Sequence, residues 1–260
     1  MERTELDATV VDPDALSALT WLRLTGVERA EELVELVRAE RAAHPGVQVL
    51  CTLDSIGQAA YTHEHALEDE RLDPAYADDA PDLADFDDED AEQARAYELA
   101  VVEHIVDQLH SPAHASSWAD LAGSRPTDPE EVDAIARVNL DPGLVVDHEV
   151  QVLLVPAGTP ADAIAGLANG YFPGDWDTFE NHAVASHLAD RYGFRLFAIG
   201  ASWLGFERDG ALDAAQAKRL TDELAVLYDV ADAPAWTKVA AAVTERETLF
   251  LPYTESIEID

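Results

Sequence analysis

Five short runs constrain this chain most: VQVLCTL (47–53), HEVQVLLVPAG (148–158), FRLFAIG (194–200), SWLGFER (202–208) and ETLFLPY (247–253). Each is rich in β-branched, aromatic and large aliphatic residues, each has strand length, and several end at Gly or Pro. Between them lie longer stretches with apolar residues at helical spacing. VERAEELVELVRAERAAH carries Val27, Ala30, Leu33, Val34 and Val37 on one face, and AEQARAYELAVVEHIVDQLH carries Tyr97, Val101, Val102, Ile105, Val106 and Leu109. DTFENHAVASHLADRYG, LDAAQAKRLTDELAVLYD and APAWTKVAAAVTE read as further helices, and TDPEEVDAIARVN as one with Asp128 as its cap and Pro129 as its first residue. PDALSALTWLRLTG (13–26) and PADAIAGLANG (160–170) read as short helices too. FRLFAIG and SWLGFER are close enough to form a hairpin. The class is therefore α+β, a mixed sheet with a β-hairpin flanked by several amphipathic helices.

The runs divide the chain into an N-terminal α/β part (1–62), an acidic loop or insertion (63–92), a helical part (93–147) and a C-terminal α+β domain (148–260). From Glu64 to Glu92 there are fourteen acidic residues and one base, Arg71. Pro74 and Pro81 forbid one continuous helix there, and Tyr76, Leu83 and Phe86 follow no period.

Charge narrows the partners. Fifty-three acidic residues against sixteen basic ones give a formal net charge of −37, and only Lys218 and Lys238 are lysines. Such a surface repels phosphate backbones and anionic lipid, which excludes direct nucleic-acid and membrane binding. It suits a salt-adapted, solvated surface, or a field that attracts a basic protein partner or imitates DNA. No apolar run approaches membrane-spanning length, and MERTELDATVVD lacks the apolar core of a secretory signal. Cys51 is the single cysteine, so no internal disulfide forms; a reducing, cytoplasmic setting is expected.

Residues 149–253 resemble the DUF4253 family, a bacterial domain named for its unknown function. The resemblance rests on EVQVLLVPAGTPADAIAGL, on HLADRYGFRLFAIGASWLGFER, on LDAAQAKRLTDELAVLY and on the final aromatic strand. Leu188 stands where the family pattern has a tryptophan, and LFLPYTESIEID replaces a tryptophan-rich ending. The resemblance implies a fold and brings no reaction, catalytic residue or cofactor.

Candidate sites follow from residue chemistry. The loop FPGDWDTFEN, with Tyr171 before it, offers Tyr171, Phe172, Asp175 and Trp176 as a ligand- or partner-binding surface, while Asp177 or Thr178 is a helix cap. His63 and His65 would share a side of an extended segment, and with His104, and His110 and His114 beyond it, could hold zinc or another divalent transition metal. No other cofactor is expected. His182 and His187 point about 140° apart on one helix and cannot share an ion there, and His187 should border the core with a structural hydrogen bond. Ser202 lies in Gly200-Ala-Ser-Trp-Leu-Gly205 without the strand–turn–helix context of a nucleophile elbow. Cys51 is expected to be a buried, inert thiol, and Asp54 a strand-ending residue. Function is accordingly expected to be that of an acidic interaction protein neutralising a basic partner, in the manner of an immunity protein or antitoxin. The alternatives are a DNA mimic and a metal-dependent enzyme.

Overall fold

Strand runs from both ends of the chain join one sheet. The computed structural model describes residues 1–76, 90–231, 233–255 and 257. Among them seven strands form a mixed sheet: β1 (Glu2–Glu5), β2 (Thr20–Thr25), β3 (Gln48–Thr52), β4 (Glu149–Val155), β5 (Arg195–Ile199), β6 (Trp203–Glu207) and β7 (Thr248–Pro252). Their spatial order is β1-β2-β4-β3-β5-β6-β7. Only β3 and β5 run parallel; every other neighbouring pair is antiparallel. The fold is α+β. The N-terminal part and the C-terminal domain share this sheet, because β3 pairs with β4 on one side and β5 on the other.

Position in the sheet explains the sequence of each strand. Strands β6 and β7 are buried at every residue, and β3, β4 and β5 nearly so. Strands covered on both faces read as continuous apolar runs, which is how the five diagnostic segments read. In β2 only Leu22 and Leu24 are buried and their neighbours are half-exposed, while β1 is exposed throughout.

The helices are α1 (Ala30–Ala43), α2 (Ile56–Ala66), α3 (Ala91–Leu109), α4 (Pro129–Leu140), α5 (Thr178–Tyr192), α6 (Ala214–Leu227) and α7 (Ala235–Glu245). Asp128, Asp177 and Asp213 close capping boxes on α4, α5 and α6, each accepting from the backbone N–H three residues on. Helix α1 packs against β3, α5 against β5, and α4 against both α7 and β7.

Three expectations are corrected. Residues 13–26 do not form a helix. TWLRLT alternates Leu22 and Leu24 inward and becomes β2, held between β1 and β4 by pairing that no local pattern reveals. Residues 160–170 form only a short 3₁₀ turn at Asp162–Gly166, tight enough that a Cβ on Gly166 would lie 2.4 Å from a Val155 methyl. The expected acidic loop is helical at both ends: α2 runs to Ala66 and α3 starts at Ala91. Its centre, 77–89, with Leu83 and Phe86, lies outside the described residues.

Strand β7 ends the sheet, yet its outer backbone is not left unpaired. Asn139 of α4, buried, accepts from the Phe250 N–H (2.9 Å) and donates to the Phe250 carbonyl (2.8 Å). One side-chain amide thus acts as a strand partner for one edge residue. Asn139→Ala strands both groups in the core and should cost about 2 kcal/mol. A thermal melt would show it; an unchanged midpoint would mean that the edge does not depend on this contact.

Candidate functional site

The loop before α5 separates into a buried half and an exposed half. Gly170 turns it with φ +82°, where a Cβ would lie 1.9 Å from the Trp176 carbonyl oxygen, so glycine is required. Trp176 is buried: its indole N–H donates to Ser124 Oγ, its backbone N–H to the Tyr253 carbonyl, and its ring lies against Tyr228. Asp175 accepts the Glu255 N–H and ties the loop to the C-terminal segment. Trp176 is therefore a core residue, while Asp175 is half-buried beside it. Large rings near a chain turn are often core, and burial here decides it.

Tyr171 and Phe172 are exposed. They join Tyr61 and His65 of α2 in a closed set of four rings. Tyr171 stacks on His65 with centroids 4.8 Å apart, Phe172 lies parallel to Tyr61 at 6.3 Å, and the edge contacts Tyr61–His65 and Tyr171–Phe172 are 4.2 and 5.3 Å. Tyr61, Glu64 and His65 recur at i, i+3 and i+4, which puts the Glu64 carboxylate on the helix face that carries Tyr61 and His65, and Glu68 follows just past the helix end. His65 Nδ1 lies 2.8 Å from Glu68 Oε1. Among the described residues this is an apolar, aromatic patch edged by acid.

The proposed metal ligands His63, His65 and His104 do not converge. His63 and His65 stand on a helix, where neighbours two apart point to opposite sides. His63 faces inward against the Ala168 carbonyl, and burial lowers its pKa to about 4. His104 Nε2 is buried and has no hydrogen-bond partner among the described residues. His114 Nδ1 is held by Gln108, and His187, stacked on Trp118 at 3.9 Å, pairs with Glu223 at 2.9 Å.

A different trio converges. His110 caps the end of α3, His182 lies one turn into α5, and Asp162 opens the 3₁₀ turn. Both imidazole Nε2 atoms lie 2.9 Å from Asp162 Oδ1. Asp162 Oδ2 accepts the Thr159 N–H at 3.0 Å, which fixes the carboxylate. Asp162 and His182 are buried, whereas His110 is 54% exposed and stands at the rim. Burial alone would raise the Asp162 pKa; the hydrogen bonds from His182 and Thr159 and the adjacent imidazoles outweigh it and bring it down to about 2. An open cleft of about 390 Å³ runs past His110, His182, Ser117, Trp118, Ser186 and His187. Sequence spacing could not show this trio, since its members lie 52 and 20 residues apart. The one usable hint was a histidine at a helix end, and Asp162 looked like any other acid in so acidic a chain.

Two further expectations meet the geometry directly. Ser202 lies in the β5–β6 hairpin connection with its N–H donated to Asp54 Oδ2, and no helix follows it. Cys51 is fully buried, and burial pushes its thiol up to about 12. Among the described residues, no helix is long and apolar enough to cross a membrane.

The chain matches no protein-family model, no curated protein and no solved structure. The DUF4253 resemblance therefore rests on its motifs alone.

Proposed function

We propose that the protein is an acidic interaction module that captures a basic segment of a partner protein. The observation that carries this reading is the four-ring surface patch of Tyr61, His65, Tyr171 and Phe172, with Glu64 on the same helix face and Glu68 just past the helix end beside His65. Arginine is the side chain such a surface suits. Its guanidinium stacks on aromatic faces and takes carboxylates in a planar fork. The net charge of −37 supplies long-range steering toward a basic partner, and the rings supply the anchor. Neutralisation of a basic protein, as an immunity protein or antitoxin does, is the form of activity this surface suits. The DUF4253-like region supplies Tyr171 and Phe172 of the patch and brings no reaction to the proposal.

The test separates anchor from field. An arginine-rich peptide should bind, and its affinity should fall steeply between low and high salt. The double change Tyr171→Ala, Phe172→Ala removes two exposed rings and leaves the core intact. It should weaken binding by at least about tenfold at constant ionic strength, the scale on which buried anchors act. Equal binding by the double variant, measured by calorimetry, would leave only non-specific charge attraction and end the reading.

A further inference from the structure

We infer that His110, Asp162 and His182 form a binding site for one first-row divalent transition metal ion, with Zn²⁺ as the probe of choice. Among the described residues this is the one group of three or more metal-ligating side chains whose donor atoms all lie within 4.8 Å of one another. It comprises two imidazole nitrogens and one carboxylate oxygen, a donor set that suits zinc, iron, copper or nickel rather than magnesium or calcium.

The geometry favours a cage. Donors at ~2.1 Å from a common ion stand ~3.0–3.4 Å apart, depending on the angle between them. Each Nε2 already lies 2.9 Å from Oδ1. Without an ion, two N–H···O hydrogen bonds keep this spacing, so the donors are assembled beforehand. With an ion, both imidazoles turn a lone pair to the same point and the two hydrogen bonds are replaced. The ring planes of His110 and His182 are 84° apart with centroids at 5.4 Å, so the nitrogens approach from different directions. The rigid part is Asp162, whose second oxygen is held by the Thr159 N–H. The adjustable part is His110, exposed at the rim and free to close the small remaining gap. Outer partners of this kind orient ligands in known metal sites.

The site stands at the side of an open cleft, which gives an ion a way in. Three protein ligands leave at least one position for water or for an oxygen of a bound molecule, the arrangement of catalytic rather than purely structural zinc. Neither Trp118 nor His187 competes for the ion: the two are stacked on each other, and His187 is paired with Glu223. The inference does not depend on the aromatic patch.

The experiment uses full-length protein without a histidine tag. Zn²⁺ is added in millimolar Mg²⁺, which occupies exposed carboxylates, and bound zinc is counted after buffer exchange. Co²⁺ substitution reports on coordination through its visible absorption. One equivalent of Zn²⁺ and a Co²⁺ band characteristic of nitrogen ligation are expected. His110→Ala, at an exposed position, and Asp162→Asn, of unchanged size, should each weaken zinc binding by at least about tenfold. His148→Ala, another exposed histidine, should leave it unchanged. Failure of the parent protein to retain zinc, or equal retention by His110→Ala and Asp162→Asn, would overturn the assignment. Because the His110 side chain is more than half exposed, its removal opens no cavity in the core, and circular dichroism checks that the variant is folded.

Discussion

Glu207→Gln should lower unfolding stability by about 3 kcal/mol. Glu207 is fully buried on β6, and three arginines end on its carboxylate. Arg195 approaches from the paired strand β5, at 2.6 and 3.0 Å, while Arg38 and Arg41 reach across from α1 at 2.8–3.0 Å. Arg38 and Arg195 also hold Glu247 and Asp209. A single anion thus joins α1 to the hairpin. Neutralising it leaves three guanidiniums facing an amide. They are each about a quarter to a third exposed, which puts the cost near the lower end of the ~3–5 kcal/mol found for broken buried pairs. Urea unfolding followed by tryptophan fluorescence measures it, and a loss well under 1 kcal/mol would show that water already screens the cluster. Burial raises the Glu207 pKa, but the three arginines outweigh it and the net shift is downward. A depressed carboxylate contributes stability above its ordinary pKa of 4.5, and that contribution is lost as pH falls through the folded value.

Asp54 has the opposite sign. It is half-buried just past the end of β3 with its Oδ1 enclosed, packed so closely against Gly200 that a Cβ there would lie 1.8 Å from Oδ1. Oδ2 accepts the Ser202 N–H, while Oδ1 has no hydrogen-bond partner among the described residues. The Tyr253 hydroxyl, close by, donates to the carbonyls of Gly200 and Ala201 instead. Burial therefore prevails and raises the pKa from its ordinary 3.8 to about 7. The folded state holds this proton between those values and the unfolded chain does not. Stability from this group is complete below pH 3.8 and is lost as pH rises to about 7. At ~1.4 kcal/mol per pH unit, the range corresponds to on the order of 4 kcal/mol. Asp54→Asn should accordingly flatten the stability profile between pH 4 and 7 and raise stability at pH 8. A residual slope is expected from Glu98, which burial also raises to about 7. Chemical unfolding of parent and variant across that range is the measurement; parallel profiles would show that Asp54 titrates normally.

Much of the secondary structure is local in origin, and the sequence carried it. Asp128 with Pro129 starts α4, and Asp177 starts α5, because a short acidic side chain beside the first turn satisfies free backbone N–H groups wherever that turn sits. The hairpin of β5 and β6 joins neighbours in sequence, so it too was readable. The class followed from these pieces. Thr20–Thr25 failed for a non-local reason: six residues of mixed pattern became a strand because β1 and β4 offered backbone on both sides. Trp176 failed likewise, since the sequence placed it in a loop while tertiary packing put it in the core.

The candidate sites divide in the same way. Tyr171 and Phe172 were visible as exposed aromatics in a loop, but Tyr61 and His65 joined them only when α2 was laid alongside. His63 and His65 were separated once their segment proved helical, because a helix turns residues two apart to opposite sides. His110, Asp162 and His182 come from a helix end, a 3₁₀ turn and a helix interior. Periodicity and capping act within a few residues, and so the sequence alone determined the capped helices, the continuous apolar strands and how much charge surrounds them. Which side chains meet was decided only by the tertiary structure, since the distances that matter for a ligand set are bridged by the sheet and its packed helices, not by the chain between them.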